Sequence, residues 1–247
     1  MIMPRSRAVA LSSGPKRSGA GRFLPRIRKA IGLVLFAASF VPAHAVSAQH
    51  RTGTVDGKAR QERHVDSSLM DASADVREVA AWILRAGDNQ GLPYVIIDKV
   101  GAKVFLFDGQ GRARGSAPAL LGLALGDESV PGIGDRRLAT ISAKERTTPA
   151  GRFMSSLGHD FEQDILWVDY ASSLSLHRVI AGHPKERRHQ RLVSATPLDN
   201  RISYGCINVP AEFYDKVVIP AFTGTMGVVY ILPETRSVRQ AFAIPAD

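Results

Sequence analysis

Apolar positions along the chain change period once, near residue 90. Upstream, Val76, Val79, Ala80, Ile83 and Leu84 recur at 3.6-residue spacing and Gly87 follows, which predicts a helix over 73–86. Downstream the runs are short and rich in β-branched and aromatic residues. "YVIIDKV" and "KVFLFD" read as a hairpin, "SAPALLGLALGD" as a third strand, and "RFMSS", "ILWVDY", "SLSLHRVI" and "GVVYIL" as further strands. One more helix is expected in "PAEFYDKVVIP", with Pro210 in its first turn and Pro220 ending it. Many short strands with one or two helices predict a mostly β domain, an antiparallel sandwich or barrel-like fold. Two long connections, 126–151 and 181–200, stand out as functional candidates.

The first 48 residues break this pattern. They hold eight basic residues and no Asp or Glu, then the apolar run "AIGLVLFAASFVPA" and small residues ending at Ala45 or Ala48. These are the three parts of a secretory signal, and cleavage after Ala48 is the preferred reading. Pro42 interrupts the apolar run, which falls short of the roughly 20 residues needed to span a bilayer; an uncleaved anchor is the competing reading. The expected organisation is a signal over 1–48, a polar linker over 49–70, a helical region over 71–90, the main β domain over 91–235 and a C-terminal tail over 236–247. The expected location is the periplasm or cell envelope, with no membrane span left after cleavage. Cleavage also changes the charge. The net +9 of the full chain falls by eight, to +1, so its high pI gives no support to a nucleic-acid partner.

The chain has a single cysteine. An exported protein with one thiol has no internal disulfide to make, which raises the prior for a reactive group. Cys206 follows Gly205, which allows a tight backbone turn. The N–H groups of Tyr204, Gly205 and Cys206 are candidate donors to a developing oxyanion. A thiol near its ordinary pKa of about 8.5 needs a base or a positive field to act at neutral pH. Among the histidines, His177 alone lies inside a strand pattern. Alternation there puts Leu174, Leu176 and Arg178 on one face and Ser173, Ser175, His177 and Val179 on the other. His177 is therefore the candidate base. A buried structural cysteine and a core histidine are the bland alternatives. One cysteine and scattered histidines lack metal-ligand spacing, so no metal is expected.

"ISYGCINV" resembles the signature of L,D-transpeptidases of the YkuD type, with Ser203, Gly205, Cys206, Ile207 and Asn208 at matching positions. "LSLHRV" resembles the upstream histidine segment, "TTPAGRF" a second family element, and "VIIDKVGAKVFLFDGQG" the opening hairpin, in the family's order over about residues 93–233. There are two departures. Tyr204 stands where most members have a second histidine, and His177 and Cys206 lie farther apart than in compact members.

The resemblance implies a YkuD-like β-sandwich and no cofactor. It implies that Cys206 attacks a peptidoglycan tetrapeptide stem with His177 as base, releases terminal D-alanine through a thioester, and transfers to a stem peptide, a protein amine or a D-amino acid. Ser203, or the carbonyl nearest to it, would orient His177. Arg201, Asn208 and Arg188, the last from the "KERR" cluster, would bind substrate, with guanidinium matched to carboxylate. Trp167 and Tyr170 are either a groove wall or core.

Three other readings stay open: a peptidoglycan-binding module with weak or no catalysis, which Tyr204 permits; an L,D-carboxypeptidase, with water as acceptor; and a papain-like peptidase. The last is disfavoured because His177 precedes the nucleophile.

Overall fold

Ser73 caps helix α1 (Ala74–Ala86) by accepting a hydrogen bond from the Val76 N–H at 3.3 Å, and Gly87, left-handed at φ 65°, ends it. The predicted helix is thus present almost to the residue. This computed structural model describes residues 71–160 and 162–246. The expected signal and linker lie outside them.

The domain is mostly β. Its main sheet has eight strands in the order β3-β2-β1-β10-β5-β6-β7-β9. They are β1 (Tyr94–Asp98), β2 (Lys103–Phe107), β3 (Ala113–Pro118), β5 (Gly151–Asp160), β6 (Gln163–Asp169), β7 (Leu174–Arg178), β9 (Ile207–Val209) and β10 (Gly227–Ile231). A second, two-stranded ladder joins β4 (Leu121–Gly122) to β8 (Arg201–Ser203). Antiparallel pairs predominate, but β1–β10, β7–β9 and β4–β8 are parallel. Parallel neighbours need a crossover of a dozen or more residues. That is the physical reason for the long 181–200 connection, which carries the chain from β7 to β9 and holds the short helix α2 (Arg188–Leu192).

Two cores flank the central strands. Val95, Ile97, Val104, Leu106, Val229 and Ile231 face an inner core shared with Leu166, Leu174, Leu176, Ile207 and Val209. The sheet therefore curls so that its two ends pack on one interior. Tyr94, Ile96, Phe105, Phe107, Val228 and Tyr230 face the other way, onto Val76, Val79 and Ile83 of α1 and onto Val238, Phe242 and Ile244. Strands buried on both faces read as unbroken apolar runs, as β1 and β10 do. The C-terminal segment forms a short helix (Val238–Ala241) and supplies part of this second core.

Two local expectations are corrected. The third strand begins earlier, at Ala113, and breaks after Pro118 before the two residues of β4. The helix after the cysteine does not stop at Pro220. It runs through Ala211–Phe213, a π-helical turn (Tyr214–Val218) and Ile219–Phe222. Proline tolerates a first-turn position, where its missing N–H costs little. The wider turn ahead of it gives Pro220 that position.

Candidate active site

The strands β5, β6, β7 and β9 alternate, with one register shift between Trp167 and Asp169 on β6. Leu157, Leu166, Val168, Leu174, Leu176, Ile207 and Val209 pack on the inner core. The opposite face carries the predicted chemistry. The parallel pairing of β7 with β9 sets His177 opposite Asn208. One step along, the Ser175 hydroxyl contacts Cys206 Sγ at 3.6 Å, and Sγ also faces the Ser173 carbonyl at 3.7 Å. Cys206 is half-exposed, whereas His177, Ser175 and Asn208 are buried.

The ring of His177 is held at both nitrogens. Nδ1 lies 2.7 Å from the Arg178 carbonyl, so it carries the proton and donates it. Nε2 lies 3.2 Å from the Asn208 amide nitrogen. The Asn208 amide is oriented from its other end, where Oδ1 accepts from Arg188 Nη1 at 2.9 Å. Arg188 is in turn braced by Glu186 at 2.7 Å. The chain Arg188→Asn208→His177→Arg178 carbonyl fixes one neutral tautomer, with the Nε2 lone pair accepting from the Asn208 amide. Burial pushes the His177 pKa below the ordinary imidazole value; the bond to the Arg178 carbonyl opposes this, and the nearby Arg188 charge adds to it. Arg178 is itself anchored by Asp164 at 3.1 Å and Asp215 at 2.6 Å, and its guanidinium lies 4.5 Å from the Tyr214 ring centroid.

The turn before Cys206 is built from below. Ser203 Oγ donates to the Cys206 carbonyl at 2.6 Å and accepts from the Gly205 N–H at 3.1 Å. Thr148 Oγ1 donates to the Gly205 carbonyl at 2.7 Å and accepts from the Gly122 N–H at 2.8 Å. Gly205 sits at φ 138°, and a Cβ there would come within 2.9 Å of the Thr147 carbonyl oxygen, so only glycine fits. Tyr204 packs its ring against the Arg146 guanidinium, 3.8 Å from the ring centroid.

Beneath this turn lies a sealed charge cluster that the sequence did not reveal. Lys99 Nζ, fully buried, meets Asp127 at 2.7 Å and Glu234 at 3.5 Å. It also donates to the Thr148 carbonyl at 3.0 Å. Arg201 pairs with Glu234 at 2.5 Å and donates to the Lys99 carbonyl at 2.8 Å. Burial alone would raise the Asp127 pKa. Hydrogen bonds from Lys99, Thr235 and the Glu234 and Thr235 N–H groups outweigh it and hold the carboxyl well below its usual range.

The sequence-predicted residues thus separate into groups. Cys206, His177 and Asn208 share one sheet face, and Arg188 reaches it from the crossover. Ser203 shapes the nucleophile turn and does not touch His177; the orienting carbonyl is that of Arg178. The Gly205 N–H is engaged by Ser203 and is not a free oxyanion donor. Arg201 is 7 % exposed and committed to Glu234, so it serves the buried cluster rather than a substrate carboxylate. Ser175 and Thr148 were missed as site residues. The first could have been found from its place two residues before His177 on the same strand face. Among the described residues no group of three or more His, Cys, Asp or Glu side chains forms a metal site, and no helix is long and apolar enough to cross a membrane.

No family model matches the chain, and no curated protein does. Among solved structures it is similar to the helical cell shape determining protein Pgp2 from Campylobacter jejuni, at 12% identity and a TM-score of 0.39, over 64% of this chain and 56% of that one. A mutant of the same protein gives 12% identity and a TM-score of 0.40, over 63% and 55%. The LD transpeptidase LdtMt1 in complex with imipenem gives 12% identity and a TM-score of 0.32, over 57% and 58%. The chain spans little more than half the length of these structures. The functional reading below rests on the chain's own residues.

Proposed function

We propose that this chain is an exported cysteine acyltransferase of the L,D-transpeptidase type, acting on the tetrapeptide stems of peptidoglycan. The observation that carries it is the half-exposed Cys206 thiol beside Ser175, on the same strand face as a buried neutral imidazole tied to a carbonyl. The resemblance of the "ISYGCINV" and "LSLHRV" segments supplies the substrate class.

In this reading His177 Nε2 exchanges the Asn208 amide for the Cys206 thiol and takes its proton. Sγ then attacks the carbonyl of the third stem residue. The C–S bond forms, the bond to the terminal D-alanine nitrogen breaks, and the proton on Nε2 goes to that leaving amine. An acceptor amine next attacks the thioester; the new amide bond forms, the C–S bond breaks, and the amine proton returns through Nε2 to sulfur. With the Gly205 N–H engaged, the Cys206 and Tyr204 N–H groups are the oxyanion donors, an effect of about 2.7–4 kcal/mol per donor. The Ser175 hydroxyl donates to the sulfur and steadies its negative charge.

Incubating the full chain with a purified tetrapeptide-bearing muropeptide and analysing the products by mass spectrometry tests this. Loss of one alanine with a new cross-link supports transfer; loss without one indicates carboxypeptidase action. No change, with Cys206 inert to a thiol-reactive probe, sinks the enzyme reading. A second reading, a binding module with silent chemistry, is favoured by one contact: Nε2 faces the Asn208 amide while Sγ faces Ser175 and Ser173.

A further inference from the structure

Trp167 and Tyr170 stack with ring centroids 4.5 Å apart and planes 25° from parallel. Neither belongs to, or packs against, either hydrophobic core. Tyr170 is 67% exposed. Large aromatics are usually spent on cores or interfaces, so a stacked pair left outside both calls for a ligand. Trp167 is held in place by Gly158 on β5, where a Cβ would come within 2.5 Å of the indole.

The register fixes where this pair lies relative to the nucleophile. Trp167 is opposite Ser175, and Ser175 touches Cys206 Sγ. Residues opposite each other in a sheet project from the same face, and neighbouring strands lie about 4.8 Å apart. The indole therefore rises from the face that carries the thiol, two strands or about 10 Å away. Extended peptide covers about 3.3 Å per residue, so three residues also span about 10 Å. In the proposed substrate, three residues separate the scissile carbonyl from the amino sugar that bears the stem.

We infer that the Trp167–Tyr170 stack is a sugar-binding platform that takes the pyranose ring of the glycan to which the stem is attached. The C–H face of a pyranose is apolar and slightly positive, which suits the electron-rich face of an indole or phenol ring. A glycan-linked stem then meets the protein at two points, the thiol at one end and the aromatic pair at the other. This inference rests on the proposed peptidoglycan reading and names the part of the substrate that the nucleophile does not read.

The test compares two substrates on the full chain: a bare tetrapeptide and the same tetrapeptide carrying its disaccharide. The wild type should prefer the sugar-bearing form. Trp167→Ala and Tyr170→Ala should lower the ratio of the two kcat/KM values about tenfold, the loss expected for one aromatic contact. Trp167→Phe, which keeps a ring, should restore most of the ratio. Equal use of both substrates by the wild type, or variants that lose both rates in proportion, overturns the platform. If neither substrate reacts, the catalytic reading fails and binding decides the platform. Titrating the disaccharide-tetrapeptide into the protein should then perturb tryptophan fluorescence in the wild type and not in Trp167→Phe; the absence of any wild-type response overturns it.

Discussion

Two polar clusters lie a few residues apart and are built on opposite principles. The one under the nucleophile turn sets Lys99 and Arg201 against Asp127 and Glu234, sealed from solvent. The one beside Cys206 starts from the Arg188–Glu186 ion pair and then runs through the Asn208 amide to a neutral imidazole. Buried opposite charges lock a structure because separating them is costly. A hydrogen bond between two neutral groups, such as that of Asn208 with His177, is exchanged at more modest cost. The first cluster holds the turn in place; in the proposed mechanism the second leaves His177 free to change partners. Thr148 ties the first cluster to the turn before Cys206, with its carbonyl on Lys99 and its hydroxyl on the Gly205 carbonyl.

The sharpest way to break this contrast is at Lys99. Lys99→Met leaves Asp127 and Glu234 without their buried cation and should cost about 3–5 kcal/mol in urea unfolding. A cost near zero would mean that the cluster is not sealed. The lowered Asp127 pKa gives the same cluster a pH signature. Its stabilisation is fully present above the ordinary carboxylate range and is lost as pH falls through the depressed folded value. Thermal melts should therefore weaken steeply only in strong acid, and less so in the Lys99→Met protein.

His177→Ala should do the reverse of Lys99→Met. Alkylation of Cys206 near neutral pH should slow by about 10²–10⁴-fold, with a much smaller change in melting temperature. If both fall together, His177 is a packing residue.

Thr148→Val leaves the Gly205 carbonyl and the Gly122 N–H unpaired. It should cost about 1–3 kcal/mol, measured in urea; a cost near zero would mean that Thr148 does not support the turn.

The smallest expected effect is at Arg188. Arg188→Ala removes a positive charge near the imidazole and releases the Asn208 amide. Two charges act on the His177 pKa: Arg188 from the crossover lowers it and Asp160 from β5 raises it. With Arg188 gone, Asp160 is the charge that remains, so the His177 pKa should rise. The acid limb of the Cys206 alkylation rate should move to higher pH, while Arg188→Lys keeps it near the wild-type position. Imidazole ¹⁵N NMR reads the same titration directly; an unmoved curve would show that the Arg188 contact is structural only.

Much of this was legible in the chain. Period-two alternation placed Ser175 and His177 on one face, and the glycine before the lone cysteine predicted the tight turn. Helix α1 was marked by its apolar spacing and by Gly87. What stayed hidden depends on contacts between distant segments. Lys99 sits in a turn between two strands and reads as a solvated lysine; only the arrival of Asp127, Thr148 and Glu234 from three other segments buries it. Arg201 was near the thiol in sequence but faces inward, because the ladder of β8 with β4 turns its side chain toward Glu234. The parallel return of β9 beside β7 has no local signature, since a crossover is recognised only by what it connects. The same holds for Arg188, whose partner Asn208 is twenty residues away.

The half-exposed sulfur of Cys206 has one more consequence. A thiol of this kind oxidises first to a sulfenic acid, which a neighbouring cysteine ordinarily captures as a disulfide. This chain has no other cysteine, so no second thiol within it can capture the damaged atom as a disulfide before further, irreversible oxidation. In an oxidising compartment each molecule would depend on a reductant supplied from outside, and its working lifetime would be set by that supply rather than by the stability of its fold.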